Sequence, residues 1–313
     1  MRRGRATGWL ACLALASIGC GGAPTPEPAT PAPEATGPVM ERLSPPGSRM
    51  SVLAPPAQPI PHTLRWRAGA LELSFADATV AEGAERAVAT AYLAQLRERY
   101  GEEIAHRPFA LDGAEGVEVT VDAAPRLRAV MIWRDGAIAR LAVTYAEEDA
   151  LDAARVIDSL SFDARAPIDP KAALGLEAAE MEELPLVPVS TEQLVFREGG
   201  HPGPFARLAA AVDVAYLDLA GETPDERERG RLLGGRFRGM PLEAPELAEL
   251  QGEGATGFAM QAYAIIEGVR LTLLGAYLEV EGGVLLVRAS VPTERAEVWA
   301  PRLWALIRSL RVQ

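Results

Sequence analysis

Two hairpin signals, each followed at nearly the same distance by the same helix ending, constrain this chain more than any other feature of its sequence. Asp135-Gly136 lies between apolar-rich runs at 126–134 and 137–145, and Gly282-Gly283 lies between runs at 269–280 and 284–291. Both dipeptides accept the positive φ of a tight two-residue turn, which joins neighbouring antiparallel strands. Each pair of runs leads into a helical stretch. The stretches close on Asp158-Ser159-Leu160-Ser161-Phe162 and on Arg308-Ser309-Leu310-Arg311-Val312. Gly136 and Ser159 are 23 residues apart and Gly283 and Ser309 are 26 apart, so the spacing predicts one module used twice.

The rest of the chain can be placed around these units. Strand patterns at 62–67 and 70–75 precede a helix over 84–100, in which Ala84, Val88, Tyr92, Leu96 and Tyr100 recur every four residues, with Gly101 as its C-terminal cap. A further strand is expected at 116–121. The helix from Glu147 carries acids in its first turn, where the dipole favours them, and an inner face of Ala150, Ala153, Ala154, Ile157 and Leu160. The C-terminal helix begins near Pro292 and presents Trp299, Leu303, Leu306 and Leu310, with Pro301 expected to kink it or mark its true start. In the second unit a strand is expected at 193–197, and helices near 205–212 and 245–250. With 313 residues there is material for two cores. The predicted fold is α+β: two tandem modules, 62–163 and 189–313, each a mainly antiparallel sheet packed with helices. Residues 164–188, marked by Pro167, Pro170, Pro185 and Pro188 around an acidic helical piece, read as a linker.

Residues 1–19 read as a signal peptide, with Arg2, Arg3 and Arg5, an apolar run from Trp9 to Ile18, and small Gly19. The apolar run is shorter than the ~20 residues that a membrane-spanning helix needs. The string Ala16-Ser17-Ile18-Gly19-Cys20 resembles the lipobox of bacterial lipoproteins, in which the cysteine thiol carries diacylglycerol, although Ser17 stands where that pattern prefers Leu. The resemblance implies lipidation of Cys20 and a membrane partner reached through that lipid, and Gly21 implies an outer-membrane destination. Cleavage before Cys20 also removes Cys12, so the mature chain has no internal disulfide. Residues 20–61 hold the lipidated Cys and a spacer with twelve prolines between Gly21 and Pro61, expected to be an extended, solvated tether.

The order of strand pair, helix, three strands with a hairpin, and final helix resembles the PsbP-like family, which includes the periplasmic DcrB-like lipoproteins. The resemblance rests on 126–162 and 269–312. It implies α+β sandwiches with a central antiparallel sheet that act as binding or assembly modules, with an envelope protein or small ligand as partner.

The formal charge of −12, or −15 without residues 1–19, disfavours nucleic acid as a partner. His62, His106 and His201 are not at metal-ligand spacing, and no phosphate-binding or nucleophile-elbow motif occurs, so neither cofactor, metal nor catalytic residue is assigned. Three weaker binding candidates stand out. His201 sits in the tight string Gly199-Gly200-His201-Pro202-Gly203-Pro204. Arg231, Arg236 and Arg238 lie among the glycines of 230–241, which reads as a loop able to cradle an anion. Trp66 is flanked by Arg65 and Arg67 near the tether. The favoured reading is a non-enzymatic envelope lipoprotein. The alternative is an envelope hydrolase using paired carboxylates such as Glu267 and Glu279.

Overall fold

The computed structural model describes residues 39–101, 104–200, 209–219, 221–237, 240–252 and 255–313. Its first half runs β1 (Glu41–Leu43), β2 (Met50–Ala54), β3 (Ala57–Ile60), β4 (Arg65–Ala68), β5 (Leu71–Thr79), α1 (Glu85–Tyr100), β6 (Ile104–Leu111), β7 (Ala114–Val121), β8 (Arg126–Arg134), β9 (Ala137–Tyr145), α2 (Ala150–Asp158) and β10 (Ser161–Phe162). The second half follows with α3 (Pro170–Leu174), β11 (Leu176–Glu177), β12 (Gln193–Arg197), β13 (Ala211–Asp218), α4 (Glu226–Gly235), β14 (Glu243–Gln251), β15 (Thr256–Ile266), β16 (Val269–Val280), β17 (Gly283–Pro292), α5 (Ala296–Arg308) and β18 (Arg311–Val312).

Among the described residues these strands build two large antiparallel sheets, of order β3-β4-β5-β9-β8-β7-β6 and β12-β13-β17-β16-β15-β14. Leaving out β3, the two orders correspond strand for strand. The repeat read from two hairpins therefore extends through each sheet. Both sheets are covered on both faces. In the first, α1 brings Ala89 and Leu96 against Val117, Val119, Val121, Met131 and Ile138, and α2 brings Ala153, Val156 and Ile157 against Val130, Ile132, Leu141 and Val143 on the other face. In the second, α4 packs Leu233 with Phe237 over Met260, Ala262, Leu271 and Leu273. There α5 packs Trp299, Leu303, Leu306 and Ile307 over Leu274, Ala276, Leu278 and Val287. Alternate residues of one strand thus feed two different cores, as the two-residue period of a pleated strand requires.

The shared helix ending has an atomic explanation. Ser159 Oγ donates to the Val156 carbonyl at 2.8 Å and accepts the Leu53 amide N–H at 2.7 Å. Ser309 Oγ donates to the Leu306 carbonyl at 2.7 Å and accepts the Ala179 amide N–H at 2.9 Å. In both modules the serine ties off a helix carbonyl and holds an incoming segment, and a two-residue strand then pairs: β10 with β2, and β18 with β11.

Several expectations are corrected. The predicted tether 20–61 ends before Glu41, because β1 and β2 pair and Met50, Val52 and Ala54 are buried in the first core. The five residues Met50–Ala54 alternate buried and half-buried, a pattern that the surrounding prolines disguise. The linker 164–188 does not stand apart from the cores, since Leu174, Leu176 and Leu184 belong to the second core. Residues 245–250 lie in β14 rather than a helix, because the turn at Gly252 returns the chain antiparallel to β15. Residues 211–218 are strand β13, and 205–208 of the expected helix lie outside the described residues. Pro301 lies inside α5, five residues beyond its start. Strand β6, with Pro108 and polar residues at an exposed sheet edge, has no counterpart in the sequence expectations.

Residues 38–313 form one compact unit. Where the two sheets meet, the Thr79 amide donates to the Val189 carbonyl at 2.9 Å and the Thr191 amide donates to the Asp77 carbonyl at 3.0 Å.

Candidate binding groove

Cys20, His201 and Arg238 lie outside the described residues. Trp66 offers no partner surface: it is buried in the first core, edge-on to Phe75 with ring centroids 5.4 Å apart. The expected Arg-rich loop is replaced by α4, which runs through Gly235. Arg231 is exposed on this helix and forms an ion pair with Glu228 at 2.5 Å, whereas Arg236 turns inward past the helix end. The structure therefore separates these two arginines rather than gathering them. Glu267 occupies the β15–β16 turn and Glu279 lies near the far end of twelve-residue β16, more than about 30 Å away along an extended strand. They cannot act as one acid/base pair. Glu279 pairs instead with Arg229 at 3.1 Å.

The site that the sequence did not reveal lies beside α4. Asp225 caps this helix by accepting the Glu228 amide N–H at 2.8 Å, and Glu226 and Glu228 occupy its first turn. That start signal was present in the sequence, but the glycines behind it read as a loop. Gly230 and Gly234 fall four residues apart and therefore share one helix face. A Cβ at either would meet nothing within 4 Å. That face is one wall of a groove of about 470 Å³, whose other lining includes Pro245 and Leu247 of β14 and Phe258 and Met260 of β15. Leu247 and Met260 are cross-strand partners, as are Glu249 and Phe258. Beneath the groove Phe258 stacks on Tyr277 at 5.1 Å and 10°. Leu247 is 69% exposed, an apolar floor open to solvent. Glu226 and Glu249 stand at the exposed rim, and with Glu246 of β14 they form no ion pair among the described residues. Strand β14 ends its sheet, so its outer backbone edge is unpaired among the described residues.

A second feature is a buried carboxylate at the junction of the sheets. Asp77 on β5 is 1% exposed. Its Oδ2 accepts the Ser48 hydroxyl at 2.6 Å, its Oδ1 accepts the Arg49 amide at 3.2 Å, and its own amide donates to Thr191 Oγ1 at 2.8 Å. Burial pushes this carboxyl up to about 6, helped by Glu192 and opposed by the Ser48 and Arg49 hydrogen bonds and the Arg49 guanidinium. That guanidinium spans the junction, donating to the carbonyls of Ala166 at 2.8 Å and Ala78 at 2.9 Å.

Among the described residues no group of three or more His, Cys, Asp or Glu is placed to hold a metal ion. Among them, too, no helix is long and apolar enough to cross a membrane.

The sheets, their helices and the groove define a mixed α+β protein built on two antiparallel sheets. No protein-family model matches its sequence, and no curated protein matches it. Solved structures resemble its fold. LpqN of Mycobacterium tuberculosis, involved in cell envelope biogenesis, is 10% identical over 44% of this chain and 83% of its own, with a TM-score of 0.33. Cyanobacterial PsbP of Synechocystis is 13% identical over 40% of this chain and 92% of its own, with a TM-score of 0.28. The T6SS immunity protein TplEi of Pseudomonas aeruginosa, complexed with "L" peptide, is 13% identical over 88% of this chain and 98% of its own, with a TM-score of 0.31. A PsbP protein, of the family that the sequence resembles, is among these solved structures.

Proposed function

We propose that this chain is a lipid-anchored, non-catalytic binding protein of the cell envelope, held to a membrane through Cys20, and that the α4–β14 groove takes an extended peptide segment carrying apolar and basic side chains. The observation that carries the reading is the pair of glycines on α4. Glycine inside a helix costs about 1 kcal/mol relative to alanine, and nothing packs against either Cα closely enough to demand it. What the two glycines do is keep the groove open above an exposed leucine. The unpaired β14 edge offers main-chain hydrogen bonds to an added strand, and the carboxylates of Glu226, Glu246 and Glu249 attract basic side chains. The same carboxylates, with Pro245, disfavour pairing of β14 with a second copy of itself. A hydrolase reading gains little from Glu226 and Glu249, because a catalytic acid needs a site that shields it from water and both are exposed.

The test is a peptide array of alternating apolar and Arg or Lys residues, probed with the mature protein and with Gly230→Leu and Gly234→Leu. The reading expects the array to enrich basic-apolar sequences over their Glu-substituted counterparts, and each leucine to abolish capture without lowering the melting temperature. Equal capture by the leucine variants would overturn the groove assignment. The anchor is tested separately by Cys20→Ser, which should release the protein from membranes. Retention on membranes without detergent would refute lipidation at Cys20.

A further inference from the structure

On the face of the second sheet that α4 covers, the groove lies on the β14 side of the helix and a row of charge lies on the other side. Asp213 of β13 is 4% exposed and stands directly across from Arg288 of β17. Arg288 Nη2 and Nε donate to Asp213 Oδ2 at 2.5 and 3.2 Å, and Arg197 Nη2 of β12 lies 2.6 Å from Oδ1. Arg288 thus hydrogen-bonds Oδ2, while Oδ1 faces Arg197 as an ion pair and, buried, has no hydrogen-bond partner among the described residues. Arg236 then brings a third guanidinium. Its carbonyl accepts from Arg288 Nη1 at 3.4 Å, while its Nε is buried with no hydrogen-bond partner among the described residues. Three arginines around one carboxylate leave two positive charges in excess within a chain of formal charge −12.

We propose that Arg236 and Arg288, backed by Arg197 and Asp213, form a binding site for one oxyanion, a phosphate or carboxylate group. Arg197 and Arg288 already more than balance the charge of Asp213, so a network built only for stability calls for no third guanidinium. Arg236 adds to it a desolvated donor and repulsion. Burial holds its guanidinium below its ordinary range, Arg288 pushes it further the same way, and Asp213 opposes both. An anion placed between Arg236 and Arg288 supplies an acceptor to the buried Nε–H and cancels the repulsion. Guanidinium pairs suit this task because their planar N–H forks match the oxygens of carboxylate and phosphate. Arg288 is 36% exposed at its side chain, so the site opens to solvent.

The experiment is calorimetric titration of the mature protein at low salt with inorganic phosphate and, in a parallel arm, with acetate. Sodium chloride at matched ionic strength is the blank. Saturable heat above the blank is expected in one or both arms, and the stronger arm identifies the oxyanion class. Arg236→Gln should weaken that binding by at least about tenfold while its melting temperature without anion stays level or rises, because the variant loses a repulsion rather than a pair. Arg231→Gln, which removes a surface arginine already paired with Glu228, should bind like the parent. If Arg236→Gln melts early, Arg236→Lys replaces it; this keeps the charge, loses the fork and must still bind more weakly. Heat no greater than the chloride blank, or unaltered affinity in the Arg236 variant, would overturn the proposal.

Discussion

Asp77 should make this protein more stable in mild acid than its other carboxylates would allow, and Asp77→Asn isolates that contribution. The carboxyl ordinarily titrates at 3.8, and in the fold it titrates at about 6. A carboxyl raised in the folded state binds its proton more tightly there than in the unfolded chain. Its stabilisation is therefore complete below pH 3.8 and is lost as pH rises through 6. At about 1.4 kcal/mol per pH unit the full span is worth about 3 kcal/mol, of which roughly 2 to 3 kcal/mol is recovered between pH 7.5 and pH 4. Asparagine keeps the shape and one acceptor but has nothing to titrate, and the Ser48 hydroxyl can turn to accept from the new amide. Urea unfolding of parent and variant at both pH values, followed by intrinsic tryptophan fluorescence, gives the stability gap at each. The parent should gain roughly 2 to 3 kcal/mol on the variant as pH falls from 7.5 to 4. Carboxylates elsewhere cancel in this comparison, including Glu118, which Arg128 and Arg107 hold low against the upward push of its burial. A gap that stays level, or that widens in the variant's favour toward acid, would show that the ionised form is the one held in the junction and refute the reasoning.

Four further outcomes are expected. Ile157→Ala and Leu303→Ala, both buried under the helices of different sheets, should each cost about 2 to 5 kcal/mol by urea unfolding. Ser159→Ala and Ser309→Ala should cost similar amounts, about 1 to 3 kcal/mol each, because each leaves a partly enclosed backbone amide unpaired; unequal losses in calorimetry would break the equivalence of the two helix endings. Gly230→Ala should raise stability by about 0.5 to 1 kcal/mol, since its Cβ meets open space in a helix interior, and a destabilised variant would mean that the α4 backbone needs glycine. Residues 39–163 and 164–313 expressed apart should each melt cooperatively by circular dichroism. Melting only of the joined chain would mean that the two sheets depend on each other to fold.

The sequence was most legible where one face pattern decides the structure. β8, β9, β12 and β16 begin and end where their alternation and flanking turns place them, because Asp135-Gly136 and the glycines at 282–283 leave few other registers. The helices α1, α2 and α5 were legible from their apolar faces for the same reason. Patterns failed where long-range pairing overrides local preference. The string Pro245–Leu250 favours a helix in isolation, yet in the fold it completes a sheet, and Met50–Ala54 becomes a strand because β10 arrives more than a hundred residues later to pair with it. The groove was illegible for a related reason: Gly230 and Gly234 read as loop residues until tertiary packing shows α4 on the sheet. Arg236 is visible in the sequence only as one arginine among the glycines of 230–241, and Asp213 and Arg288, which lie near it in the fold, come from strands that no local spacing brings together.

The two-residue strands that close each module also set a timetable for a chain that emerges from its N-terminus. The first sheet's flank is complete once Phe162 can reach Met50, but the second waits for Val312 to reach Leu176 and for the Gln313 amide to reach the Gly175 carbonyl at 2.9 Å. About 150 residues separate the two closures, which at roughly 5–20 residues per second is a lead of roughly 8–30 s. During that interval the Leu174, Leu176 and Leu184 side chains that later seal the second core are already made but have no α5 to cover them. The second half of the chain is therefore the part that a holding chaperone would need to shield. A tag or truncation at residues 311–313 would prolong that exposure, whereas the first half would have closed well before.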